Sequence, residues 1–165
     1  MMRVMFLRML TVVLACFATS SLAQGTGISL SPVKIDASQA VEVTADNLTV
    51  EQDSNSATFS GNARVVQGEL ILAANKIQVR YNAEQSAIER VIATSNVMFT
   101  NGAEVAEAQS GTYFVNTGMV DLKGDVVLLQ GINAISGDAL KLDLSTSKGT
   151  MSGNVKTVFV PKNDQ

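Results

Sequence analysis

Four short segments of this 165-residue chain align on one pattern. They are Ser60-Gly61-Asn62-Ala63, Thr94-Ser95-Asn96-Val97, Lys123-Gly124-Asp125-Val126 and Ser152-Gly153-Asn154-Val155, with their Asn or Asp positions 34, 29 and 29 residues apart. A near-fixed period of this length marks a repeated supersecondary unit, and one such unit cannot bury its apolar face alone. Three residues before each Asn or Asp stand Phe59, Ala93, Leu122 and Met151, and one residue after stand Ala63, Val97, Val126 and Val155, all apolar. Three after come Val65, Phe99, Leu128 and Thr157, while Arg64, Met98, Val127 and Lys156 hold the other parity. Alternation at period two puts the first set on one buried strand face. The small residue just ahead of the Asn or Asp shares that parity, which predicts a bend and room on the inside.

A second motif lies between these. Ala45-Asp46-Asn47-Leu48-Thr49-Val50 recurs as Ala74-Asn75-Lys76-Ile77-Gln78-Val79 and as Gly137-Asp138-Ala139-Leu140-Lys141-Leu142, with a weaker copy at Gly111-Thr112-Tyr113-Phe114-Val115. Leu48 and Val50, Ile77 and Val79, Tyr113 and Val115, and Leu140 and Leu142 point one way. Each repeat is therefore two strands, with turns at Gly68, Asn82, Asn101, Gly118, Gly131 and residues 145–147. The segment 100–109 reads as an insertion that stretches one repeat.

Composition agrees with strands. Hydrophobic residues make up 46% of the chain and aromatics only 5%, so burial rests on Val, Leu, Ile and Ala. The first 23 residues read as a cleavable secretory signal: Arg3 and Arg8, an apolar run over 9–18, then small residues up to Ala23. Residues 24–40, rich in Gly, Ser and Gln, read as an extended lead-in whose order depends on a neighbour, treated as a linker. Residues 41–160 form the repeat domain and 161–165 a short tail. Without Arg3 and Arg8 the chain keeps ten basic side chains against 15 acidic ones, which argues against a nucleic-acid partner.

The same count narrows the chemistry. The chain has no His, and its one cysteine, Cys16, lies in the signal, so a triad, a thiolate nucleophile and a His/Cys zinc cluster have no residues to build them. Glu104 with Glu107, and Asp121 with Asp125, read as solvated strand faces or turns. The expectation is a non-enzyme with no catalytic residues, cofactor or metal site.

With no helix predicted to cover its apolar face, the sheet must fold over on itself as a sandwich, jelly roll or open solenoid. Its end strands, near 41–50 and 155–160, are then left as unpaired edges.

The Ala-Asp-x-Leu opening at Ala45, the repeated Gly-Asn/Asp-Val turns and the stretch from Gly111 through Gly153 resemble the LptA/OstA-like family of lipopolysaccharide-transport bridge proteins. The resemblance covers residues 41–160. It implies a periplasmic protein of Gram-negative cells, folded as an elongated antiparallel V-shaped β-jellyroll of about four two-strand repeats. It further implies an apolar interior that holds the acyl chains of lipid A, and head-to-tail assembly by strand addition. Under it, an LptC-like inner-membrane partner meets one end and an LptD-like outer-membrane translocon the other. The implied lipid-facing interior is Phe59, Val65, Ile77, Val79, Val97, Phe99, Tyr113, Val120, Leu122, Val126, Leu128, Leu140 and Leu142. The implied partner edges are Val41, Val43, Leu48 and Val50 at the receiving end and Val155, Val158 and Val160 at the donating end. Ser95, standing where the other turns carry Gly, departs from the pattern.

Lys76, Arg80, Arg90, Lys123 and Lys141 read as an outer solubilising face rather than as phosphate contacts. The Asn47-Leu48-Thr49 sequon reads as coincidence. Two rivals share the same features: a secreted structural β-solenoid that polymerises without cargo, and an LptC-like partner that keeps its N-terminal segment in the membrane.

Overall fold

The residues singled out by the repeats are where the backbone leaves the extended region. Asn62, Asn96, Asp125 and Asn154 all have positive φ, and so do Gly61, Ser95, Gly124 and Gly153 just before them. Each pair is a two-residue left-handed insert that bends a strand midway.

The computed structural model describes residues 26–31 and 39–160. Its elements are β1 (Thr26–Ser29), β2 (Glu42–Thr44), β3 (Asn47–Glu51), β4 (Ser56–Gln67), β5 (Leu70–Tyr81), β6 (Ile88–Thr100), β7 (Glu104–Phe114), β8 (Met119–Gln130), β9 (Asn133–Asp143), β10 (Lys148–Ser152) and β11 (Lys156–Val158). They form one sheet in the order β1-β10-β9-β8-β7-β6-β5-β4-β2, with β3 also on β4 and β11 also on β9. Every pairing is antiparallel. The all-β antiparallel architecture expected from the repeats is the one observed. The signal read over residues 1–23 and the tail at 161–165 lie outside the described residues.

The register shifts once near the middle of each pairing from β4–β5 to β8–β9, between Ser60/Ala63, Ala73/Lys76, Thr94/Val97, Glu107/Ser110 and Lys123/Val126. Aligned bulges crease the sheet along one line and divide it into two walls. Wall I holds β2, the halves of β4 to β9 that meet at turns 68–69, 101–103 and 131–132, and β11. Wall II holds β3, the other halves, β10 and β1. Inward side chains of both walls belong to a single core, in which Ile77, Ala93, Val126, Leu140 and Met151 have no measurable exposure. The sheet folds over on itself because its apolar parity needs a cover and no helix supplies one.

Three sequence expectations are corrected. The lead-in read as a linker contributes β1, whose Gly27-Ile28-Ser29-Leu30 alternation buries Ile28 and Leu30 while Gly27 and Ser29 stay exposed. The weaker copy of the second motif begins at Ala108-Gln109, because the register sets Gln109, not Gly111, at the crease of β7. Tyr113 thus matches Val50, Val79 and Leu142, and Val115 falls past the end of the strand. The third concerns the extra length of the longest repeat. Residues 100–109 form an ordinary hairpin, and the added residues sit in the 82–87 turn and the irregularity between Ile88 and Arg90.

Candidate functional site

The space between the walls is the candidate site. Twelve of the thirteen interior residues named from the sequence are buried there: Val65, Ile77, Val79, Val97, Phe99, Tyr113, Val120, Leu122, Val126, Leu128, Leu140 and Leu142. Phe59 is only half-buried, because it lies beside the sheet's first end. The interior is filled by these side chains and holds no water-sized gap at Ile77, Val126 or Leu140.

Space at the inserts is used differently from the sequence expectation. A Cβ on Gly61 would collide with the Asp46 carboxylate, and one on Gly153 with that of Asp138. These glycines admit a carboxylate to the crease and open no room inside. Across the crease run four side-chain pairs, one per repeat. Asn62 Nδ2 donates to Asp46 Oδ2 at 3.0 Å, Asn96 Nδ2 to Asn75 Oδ1 at 3.3 Å, Gln109 Nε2 to Asp125 Oδ2, and Asn154 Nδ2 to Asp138 Oδ2 at 2.9 Å. The two sequence motifs are thus the two halves of one hinge-like seam. Hollows of about 370 and 240 Å³ lie along its outer side, walled by Asn96, Glu107, Gln109 and Asp125 and by Asp125, Asp138 and Asn154. Apolar side chains share the lining, Val97, Met98 and Ala108 in the first and Val126 and Val127 in the second.

Opposite the crease, the free margins of the walls meet at a mouth. Tyr113 Oη of wall II donates to Gln67 Oε1 of wall I at 3.4 Å, and burial raises the Tyr113 pKa above the ordinary phenol range. Residues 29–31 cross between the margins. Leu30 N donates to Ser147 O at 2.9 Å on wall II, while Gln130 Nε2 of wall I donates to Ser29 O at 2.9 Å. Ser31 N donates to Glu104 Oε1 at 2.8 Å, also on wall I. Glu104 therefore corrects the solvated-face reading: it is 6% exposed, while Glu107, three residues on, points outward and is exposed. Burial alone would raise the Glu104 pKa, but the Ser31 N–H on Oε1 and the nearby polar side chains of Ser31, Asn101 and Gln130 outweigh it and hold the carboxyl below its ordinary range, while Oε2 stays buried without a hydrogen-bond partner. Sequence reasoning missed this latch of Ile28, Leu30, Ser31 and Glu104; the four-residue alternation at 27–30 was the available signal.

The sheet's ends differ. At the first end, β2 and β3 pair only with β4, so their outer edges are free among the described residues. Leu48 and Val50 share the inward face of Ile77 and Val79 yet are 57% and 64% exposed, because the interior is open there. Val41 and Val43 are half-buried against the core. At the second end, among the described residues, β11 pairs only with β9, and Val158 and Val160 are exposed while Val155 is half-buried. The terminal strand is broken in two, however, and its β10 half is covered by β1. The expected donating edge at 155–160 is thus only half of that end.

Lys76, Arg80, Arg90, Lys123 and Lys141 alternate with Ile77, Val79, Val91, Leu122 and Leu140, so they lie on the outer face. Arg90 stands opposite Arg80, half-buried, with its Nε unpartnered.

An antiparallel sheet doubled over a continuous apolar interior, with strand edges at its ends, defines a jellyroll-like class of protein. Residues 42–148 match the family LptA/(LptD N-terminal domain) LPS transport protein. The chain belongs to that family. It is 28% identical over 142 residues to an uncharacterized protein of Rhizobium meliloti, covering 81% of this chain and 76% of the relative. It is 25% identical over 155 residues to the lipopolysaccharide export system protein LptA of Haemophilus influenzae, covering 87% and 88%. Among solved structures, it resembles LptH, the LptA homologous periplasmic component of the lipopolysaccharide transport device of Pseudomonas aeruginosa. That likeness has a TM-score of 0.70 and 18% identity, and covers 77% of this chain and 99% of the other.

Proposed function

We propose that this protein is a periplasmic carrier that shields the acyl chains of lipid A between its walls and bridges inner and outer membranes in lipopolysaccharide export. On this reading it is not an enzyme. It stacks end to end, an LptC-like partner meets one end of the stack, and an LptD-like translocon meets the other. The observation that carries the reading is the single apolar face that runs from exposed Leu48 and Val50 at the open end to buried Met151 at the other. Each acyl CH₂ left in water costs about 0.8 kcal/mol, so a multi-chain lipid needs such a face to cross an aqueous space. Parting the walls exposes apolar surface, but acyl chains cover it again, and the exchange of one apolar contact for another is nearly neutral. Shallow, similar wells along a stack then let the lipid slide.

Photo-crosslinking in cells tests this, with the reactive residue placed at inward Val50 and Phe99 and at outward Thr49 as control. Lipopolysaccharide adducts at Val50 and Phe99 alone are expected. An exported, folded protein that captures lipid at neither inward site overturns the carrier reading.

The filled interior favours a second reading, an end-to-end structural polymer with no cargo. It predicts assembly without any lipid adduct.

A further inference from the structure

The two walls do not contain the same number of strands. Among the described residues, wall I runs β2-β4-β5-β6-β7-β8-β9-β11, eight strands, and wall II runs β3-β4-β5-β6-β7-β8-β9-β10-β1, nine. At the first end the walls finish flush on β2 and β3. At the second end wall II overshoots by β1, which adds the width of one strand, about 4.8 Å.

Strand direction makes the overshoot informative. Neighbours alternate through wall II, so β1 runs the same way as β3. A second copy placed in the same orientation beyond β10 presents its β3 antiparallel to β10, as β1 is presented now, and its β2 to β11. While β1 is in place, wall II meets the newcomer one strand too early and β11 is left unpaired. Once β1 leaves, both walls end flush and both can be continued. β1 is also the weaker competitor: it makes four register pairs with β10, whereas β3 makes five with β4. The inward side chains correspond as well, Ile28 covering Gly149 where exposed Leu48 or Val50 of a second copy can sit.

We infer that residues 26–31 are a removable self-cap: β1 occupies the β10 edge that β3 of a second copy takes, and this exchange unties the mouth. The coupling follows from continuity of the segment. Within these six residues Thr26–Ser29 pair with β10, Ile28 and Leu30 are buried in the interior, and Ser29 O, Leu30 N and Ser31 N link the margins. Strand exchange at the end withdraws the apolar plug and the latch together, so an isolated copy is closed and an assembled one is open. The lipid consequence rests on the carrier reading, whereas the exchange itself does not.

A reversible lock tests it. Ser29 and Lys148 are register partners, both exposed, and antiparallel partners lie about 4.5–5.5 Å apart at Cα, within disulfide reach. A Ser29→Cys/Lys148→Cys variant in a Cys16→Ser background is compared oxidised and reduced, so that the reduced form of the same chain controls for folding. Self-association is followed by light scattering against concentration, and capture of fluorescent lipopolysaccharide is followed in parallel. Oxidation is expected to weaken both at least about tenfold, and Ile28→Ala, which loosens the cap, to strengthen association. Equal association of the two forms overturns the inference, and so does absence of association from both. Equal lipid capture by both forms overturns the link to the mouth. If association responds to the lock but neither form captures lipid, the exchange stands and the carrier reading falls.

Discussion

Asp138 binds Asn154 as Asp46 binds Asn62. In each pair the Asp backbone N–H donates to the carbonyl of the glycine before the Asn, Gly153 or Gly61, at 2.9 Å, and the carboxylate accepts from the Asn amide. The two ends of the crease are thus the same construction, 92 residues apart in sequence. Because both side chains are exposed, the contribution is modest: Asp138→Ala is expected to lower the unfolding free energy by about 1 kcal/mol in urea titration. The Asp138→Ala/Asn154→Gly double variant should lose little more than the single, since one interaction is removed in both and glycine keeps the positive φ of Asn154 without strain.

Ser95 holds φ +65° at the place where the other three repeats use glycine. A residue with a Cβ pays a steric penalty of about 1–2 kcal/mol there, offset in part by the greater freedom glycine has when unfolded. Ser95→Gly is expected to raise the thermal midpoint, with a gain of up to about 1 kcal/mol. Gly153→Ala, with the same backbone and a carboxylate against the new methyl, should be destabilising by about 2–3 kcal/mol.

Glu104 gives the fold a pH dependence. Its folded-state pKa lies below the unfolded one, so its stabilisation is complete above the unfolded value and is lost as pH falls through the folded value. Glu104→Gln should therefore be less stable than the parent at neutral pH, by about 1–3 kcal/mol for the weakened bond to Ser31, and the gap should narrow as acid is added. Chemical denaturation at a series of pH values reads this directly. A gap that stays constant into the acid range would contradict the assignment.

Leu140 and Leu48 lie on one inward face but in opposite surroundings, the first fully buried and the second 57% exposed. Leu140→Ala is expected to cost about 2–5 kcal/mol, as a buried leucine that leaves a cavity does. Leu48→Ala should leave the unfolding transition of the monomer within about 0.5 kcal/mol of the parent. On the carrier reading, the same Leu48 change weakens end-to-end association, which analytical ultracentrifugation measures.

The period-two alternation around Asn62, Asn96, Asp125 and Asn154 determined by itself which residues face inward, because a strand has only two faces and one must be apolar. It also determined that the chain is a repeat of paired strands, and the Gly-Asn, Ser-Asn and Gly-Asp steps located the bends of β4, β6 and β8 and the break between β10 and β11, although not the crease of β7. Local chemistry suffices for these features: parity and left-handed backbone are properties of a few neighbouring residues. Tertiary structure alone decided what the bends enclose. Nothing local sets Asp46 against Gly61 or Asp138 against Gly153, so the glycines read as spare room although a partner strand fills it. Leu48 and Leu140 carry the same pattern in sequence and differ only in whether another strand lies beyond them. Glu104 reads as solvent-facing until Ser31, 73 residues away, reaches its carboxylate. The alternation at 27–30 signals one apolar strand face but names no partner for it, and what makes the segment a strand is the edge of β10. Contacts between residues far apart in sequence depend on which edges remain free after the sheet has folded, and only the assembled sheet settles that.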